Sequence, residues 1–174
     1  MIGRAAVLLF SVLLGACATL QAPQPLPQLE SAPTAFEMSG RLALRQGDRS
    51  DIARLRWTRT KAGDLWVIAS PLGNEVARIE STAGGARLSQ AGAASQEAPS
   101  FEVLTQRLLG VGLDPAVLAA WLHGNPPSEQ AAGWQFTLDE SQQAGAVTLA
   151  KRLTARRGDV VVRLVVDDYR ALVE

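Results

Sequence analysis

From Phe36 onward the chain alternates apolar and polar residues with a period of two, a pattern that commits it to burying one face of a sheet. Phe36, Met38, Gly40, Leu42 and Leu44 share one parity, while Glu37, Ser39, Arg41 and Arg45 take much of the other. Ala53, Leu55 and Trp57 set against Arg54, Arg56 and Thr58 repeat the pattern. Alternation of this kind marks strands with one face on a core and one in water. The run from Leu65 to Ala69 is apolar on both parities, so that strand is either covered on both sides or faces something greasy. Further strands are expected at Val76 to Ser81, Ala86 to Gln90, Gly133 to Asp139, Ala146 to Ala155 and Asp159 to Tyr169. Arg156-Arg157-Gly158 joins the last two as a tight hairpin with Gly158 at positive φ.

Two helices interrupt the strands. Ser100 can cap the first, which runs to about Leu109 with Phe101, Leu104 and Leu108 on one stripe and Gly110 as its stop. The second has Asp114 as N-cap, Pro115 in its first position, Leu118, Trp121 and Leu122 on one stripe, and Gly124 just past its end. Many strands and two short helices predict a mainly β fold. With this strand count a curved or partly closed barrel is expected, with the helices packed over one face or opening.

Composition narrows the chemistry. A length of 174 residues suits one domain. Seventeen basic residues against 17 acidic ones leave no surplus to displace counterions from phosphates, so no nucleic-acid partner is expected. One cysteine and one histidine exclude an internal disulfide, a multi-thiolate zinc site and a His-rich metal centre. There is no Gly-x-Ser-x-Gly elbow, and neither Gly84-Gly85 nor Gly92 opens a phosphate loop. Neither catalysis nor a cofactor is expected. His123 should lie partly exposed at a helix end, helping to satisfy terminal carbonyls. Asp139-Glu140 and Asp167-Asp168 fall at expected strand ends, where solvated charge is normal. Arg54, Arg56, Arg59 and Lys61 read as one basic strand face, either solvated or turned to lipid headgroups or an acidic partner.

The N-terminus reads as an address. Residues 1–16 carry the charge of Arg4, a largely apolar run from Ala5 to Leu14 and the small pair Gly15 and Ala16, the layout of a secretory signal peptide. The run is about half of the ~20 apolar residues a membrane span needs. Leu14-Gly15-Ala16-Cys17 resembles the lipobox of bacterial lipoproteins, which implies cleavage before Cys17 and acylation of its thiol. At roughly 0.8 kcal/mol per buried methylene, two or three chains anchor durably where one does not. By the same resemblance, Ala18 in place of aspartate implies sorting to the outer membrane. Residues 17–35, with Pro23, Pro25, Pro27 and Pro33, read as the lipidated cysteine and an extended tether, and residues 36–174 as the folded domain.

Two features stay open on pattern alone. Trp57, Trp66, Trp121 and Trp134, spread over three strands and one helix, either fill a core or line an apolar cavity. The turn Ser70-Pro71-Leu72-Gly73-Asn74 either projects Leu72 into solvent or folds it back.

Taken in order, Gly40-Arg41-Leu42-Ala43, Ala53-Arg54-Leu55-Arg56-Trp57, Ile68-Ala69-Ser70-Pro71-Leu72-Gly73, Trp121-Leu122-His123-Gly124-Asn125-Pro126, Gly133-Trp134-Gln135-Phe136 and Arg163-Leu164-Val165-Val166-Asp167-Asp168-Tyr169 resemble the LolB family of outer-membrane lipoprotein receptors. Leu138, Ala150 and Tyr169 depart from an aromatic, a proline and a tryptophan frequent there. The resemblance implies an unclosed antiparallel β-barrel with short helices covering its mouth, in a monomer lipid-anchored at the outer membrane and facing the periplasm. It would take triacylated lipoprotein cargo from the periplasmic carrier LolA into an apolar cavity and place it among the lipids of the inner leaflet. It further implies that Pro71, Leu72 and Gly73 form a membrane-insertion loop. Candidates for the lipid-binding cavity are Met38, Leu42, Leu55, Trp57, Trp66, Ile68, Leu104, Leu118, Trp121 and Phe136. The alternative is an envelope lipoprotein that binds another amphiphile, a glycolipid or a lipid, without lipoprotein insertion.

Overall fold

The structure is a computed structural model that describes residues 33–125 and 133–173. The signal peptide at 1–16, Cys17, most of the tether and Pro126 lie outside the described residues. The described chain runs β1 (Phe36–Gln46), β2 (Arg49–Thr60), β3 (Gly63–Ala69), β4 (Glu75–Thr82), β5 (Gly85–Gln90), β6 (Gln96–Ala98), α1 (Phe101–Leu109), α2 (Pro115–Leu122), β7 (Gln135–Ala144), β8 (Val147–Arg157) and β9 (Val160–Ala171). The strands form one antiparallel sheet in the order β6-β5-β4-β3-β2-β1-β9-β8-β7. Its edge strands, β6 and β7, do not pair with each other, so the barrel is not closed. α1 packs on β4, β5 and β6 while α2 packs on β8. A short helical pair can reach both ends of a sheet this wide only if the sheet curls around it.

Register turns the period-2 pattern into a core. Tyr169, Met38, Trp57, Trp66, Ile79 and Leu88 follow one another across β9, β1, β2, β3, β4 and β5 in a single inward row. Tight turns hold that register: Arg157 pairs with Val160 across Gly158-Asp159, and Gly158 has φ 59° as its hairpin requires. Between β1 and β9 the ladder shifts. Ser39 faces Asp168 and Gly40 faces Val166, which leaves Asp167 as the extra residue of a bulge. A Cβ on Gly40 would lie 2.2 Å from the Val165 carbonyl oxygen, so the close approach of the two backbones depends on glycine. Among the described residues the buried core is drawn from Ala35 through Tyr169, all of it C-terminal to Cys17.

Both helices begin and end where their capping residues direct. Ser100 Oγ accepts the Val103 N–H at 3.3 Å, and Gly110 closes α1 at φ 76°. Asp114 Oδ1 accepts the Ala116 N–H at 2.8 Å with Pro115 in the first turn of α2. The linker is pinned to α1 by Thr105, whose Oγ1 accepts the Leu113 N–H at 2.8 Å and donates to the Glu102 carbonyl at 2.9 Å. No described helix is long and apolar enough to cross a membrane.

Three expectations are corrected. β7 runs on to Ala144, so Asp139-Glu140 lies inside a strand, at a register shift. Thr154 Oγ1 donates to Asp139 at 2.5 Å, and Glu140 pairs with Lys151 at 2.6 Å and Arg152 at 3.3 Å. Asp167-Asp168 likewise sits within β9, with Asp167 paired to Arg41 at 2.9 Å. The basic strand face divides, because residues of opposite parity cannot share a face. Arg54 and Arg56 point outward, whereas Arg59 shares the parity of Trp57 and pairs with the partly buried Asp64 at 3.1 Å. β3 is covered on one side only: Trp66 and Ile68 are buried, and Leu65, Val67 and Ala69 remain half-exposed on the outer face.

Candidate functional site

The inner face carries a chain of rings. Tyr169 stacks on Phe36 with centroids 5.5 Å apart. Phe36 meets Trp57 edge-on at 4.9 Å, Trp57 meets Trp66 at 5.6 Å, and Trp66 meets Phe101 of α1 at 5.2 Å. Edge-to-face contacts of this kind add about 0.5–1.5 kcal/mol each beyond the area they bury. They fill the half of the interior under α1. Met38, Leu42, Leu55, Trp57, Trp66, Ile68 and Leu104 are therefore packed core in this conformation.

The other half is looser. A cavity of about 100 Å³ lies between the α1–α2 linker, α2 and strands β7 and β8. Leu118 and Phe136 line it, together with Leu113, Val117, Trp134 and Ala155. Trp121 lies flat on Phe136, the ring centroids 3.9 Å apart and 17° from parallel. The Trp121 Nε1–H is buried without an acceptor among the described residues, as is that of Trp66. Of the cavity candidates, Leu118 and Phe136 line this space and Trp121 stacks on Phe136, while Leu113, Val117 and Ala155 were not among the candidates. Leu113 belongs to a linker without periodicity, and alanine gives no signal of its own.

Beneath α2, His123 departs from its expected exposure. It is 1% exposed, its Nδ1 lies 2.8 Å from the Ala119 carbonyl and its Nε2 lies 2.7 Å from the Tyr169 hydroxyl. A carbonyl only accepts, so Nδ1 carries the proton and donates, leaving Nε2 to accept the Tyr169 O–H. Burial pushes the His123 pKa down, against the hydrogen bond to Ala119, and the Arg59 charge lowers it further. Burial also pushes the Tyr169 pKa up to about 12. The helix end faces the interior, which is why a residue read as a solvated cap is a core member. Nearby, Trp57 Nε1 donates to Asp64 at 2.7 Å; burial raises the Asp64 pKa, and the bonds from Trp57 and Arg59 oppose that rise.

The turn after β3 projects outward. Pro71 and Leu72 form the centre of a turn closed by Gly73 N–H to Ser70 O at 2.8 Å, with Gly73 at φ 96°. A second bond, Ser70 N–H to Asn74 O at 2.8 Å, fixes its base. Leu72 is 91% exposed at the tip, and Val76, just past the turn, is exposed as well. Held in water by a hydrogen-bonded turn, Leu72 contributes no apolar burial to the folded domain.

The family model described as "Outer membrane lipoprotein LolB" matches residues 34–169. An outer-membrane lipoprotein LolB of Azoarcus sp. strain BH72 is 30% identical over 180 residues, covering 92% of this chain and 91% of that protein. One of Thiobacillus denitrificans is 31% identical over 178 residues, covering 91% and 92%. Among solved structures, a DUF1329 family protein of Desulfovibrio piger superposes with a TM-score of 0.55 at 8% identity, over 82% of this chain and 88% of that one, a likeness of fold alone. With a family match that spans the sheet from the start of β1 into β9 and both helices, the chain belongs to the LolB family of outer membrane lipoproteins.

Proposed function

We propose that this protein is an outer-membrane receptor that accepts triacylated lipoproteins from the periplasmic carrier LolA and inserts them into the inner leaflet of the outer membrane. In this reading it works as a monomer, held to the membrane by acyl chains on Cys17 and facing the periplasm. Residues 17–35 are the anchored cysteine and tether, and the domain from Phe36 onward does the binding. The observation that carries the reading is the family match across residues 34–169, on a fold whose described interior is mainly apolar around the helices.

The physical need is large. Three acyl chains of about 15 methylenes, at roughly 0.8 kcal/mol each, would cost tens of kcal/mol to expose to water. A receiver needs no nucleotide if its cavity holds those chains better than the donor, and the bilayer holds them better still. The cavity of about 100 Å³ is well below the roughly 300–1,000 Å³ of ordinary ligand pockets, so in this reading it widens to take acyl chains. Loading requires α2 to carry Trp121 off Phe136 and away from β7 and β8. The two helices rest on opposite ends of an unclosed sheet, so they can part without breaking a ladder. Pro71, Leu72 and Gly73 then seat the loaded domain at the bilayer. Transfer of a labelled lipoprotein from loaded LolA to this protein, in the absence of nucleotide, tests the reading.

A further inference from the structure

The outer face of the sheet, opposite the helices, has a groove of about 570 Å³ walled by Arg41, Arg54 and Arg56, with Val67 and Ala69 in its floor and Gly73 of the projecting turn at its end. The register makes this arrangement specific. Arg41 stands directly opposite Arg54 across β1 and β2, and Arg54 stands opposite Ala69, the last residue before the turn that carries Leu72. Like charges placed directly opposite each other in a ladder destabilise it unless something negative lies between them. Asp167, the extra residue of the bulge, reaches Arg41 at 2.9 Å and answers one of the three guanidiniums. Glu75, beyond the turn, is taken by two 3.1 Å bonds from Arg78. Arg54 and Arg56 are exposed and have no carboxylate at ion-pair distance among the described residues, although Glu75 beyond the turn feels the Arg56 charge.

Resting on the membrane-receptor reading above, we infer that this groove binds the phosphate groups of anionic phospholipid headgroups when Leu72 enters the bilayer. The geometry matches a membrane in cross-section. An apolar tip buried in the acyl region brings the base of its own turn to the headgroups, and that base is where Arg54 and Arg56 lie. Leucine supplies the insertion, and the arginines fix its depth and tilt. Arginine suits the task because its planar fork binds phosphate oxygens two at a time. The face carrying Leu72 is thereby turned to the bilayer, while the helices and their cavity stay on the opposite face of the sheet.

The experiment compares the chain from residue 18 onward with its Arg54→Gln/Arg56→Gln variant and with Asp167→Asn. Each is floated with vesicles of phosphatidylcholine and with vesicles of phosphatidylcholine mixed with phosphatidylglycerol. The double variant should lose on the order of tenfold in binding to the mixed vesicles and little on phosphatidylcholine alone. Asp167→Asn, which frees Arg41, should bind the mixed vesicles more tightly than the parent chain. Equal binding of all three overturns the proposal. Inorganic phosphate should displace the protein no better than sodium chloride at matched ionic strength; selective displacement would make the groove a site for free phosphate and overturn the lipid assignment. Lipoprotein transfer from LolA in solution, without vesicles, is measured on the same proteins. If it occurs while the vesicle results are equal, only the groove assignment fails, and if it does not occur, the receptor reading fails.

Discussion

The Nε2 atom of His123, at the end of α2, lies 2.7 Å from the hydroxyl of Tyr169, 46 residues further on in β9. With Nδ1–H on the Ala119 carbonyl, both ring nitrogens are satisfied and the helix end is tied to the sheet. Tyr169→Phe keeps the ring stacked on Phe36 but leaves Nε2 buried without a donor. It should destabilise the domain by about 1–3 kcal/mol in urea unfolding. A variant as stable as the parent would mean that the bond contributes nothing net.

The same histidine sets an acid limit. Its folded pKa lies below the ordinary value of about 6.5, so as pH falls through that value the unfolded chain takes up a proton before the folded one does. The unfolded state then binds more protons, and stability declines on acidification until the lower folded pKa is passed. Thermal unfolding between neutral pH and about pH 5 should show this decline, and His123→Gln should flatten it. An unchanged slope in the variant would assign the acid sensitivity to the carboxylates.

Gly40 and Gly84 separate steric need from backbone habit. A Cβ at Gly40 meets the Val165 carbonyl oxygen at 2.2 Å, whereas one at Gly84 meets nothing within 4 Å. Gly40→Ala should cost about 1–3 kcal/mol by forcing β1 from β9. Gly84→Ala should stay within about 0.5 kcal/mol of the parent. Chemical denaturation of the two variants decides it.

Leu72 offers the cleanest division of labour. It is almost fully exposed and packs on nothing in the core, so Leu72→Glu should leave stability and lipoprotein reception intact. Delivery into liposomes should fall roughly tenfold or more, since burying a leucine in an apolar phase is worth about 1.5–3 kcal/mol. Normal delivery by the variant would remove the turn from the mechanism.

Much of the fold was legible because its signals are local. Period-2 alternation gave the strands up to a few residues at their ends, and Ser100, Gly110, Asp114 and Pro115 bounded both helices. β6 was missed because Gln96–Ala98 is too short to alternate. Long-range contacts were not legible. His123 looked like a solvated cap because nothing near it in sequence announces Tyr169, and Arg59 was grouped with Arg54 and Arg56 by charge where parity divides them. The cavity candidates were read by apolarity alone, which does not distinguish Trp57, locked between Phe36 and Trp66, from Phe136 at the edge of real space.

The Trp121–Phe136 stack should govern access to that space. Trp121→Ala removes a ring 3.9 Å from Phe136 and should raise the binding of a hydrophobic fluorescent probe, at a modest loss of stability. Unchanged probe binding would place the opening elsewhere.

The most direct test of the receptor account mixes the chain from residue 18 onward with LolA carrying a radiolabelled triacylated lipoprotein, without nucleotide, and follows the label by pull-down. The account predicts that the label moves to this protein. If the label stays on LolA while the domain is folded by circular dichroism, the account is contradicted.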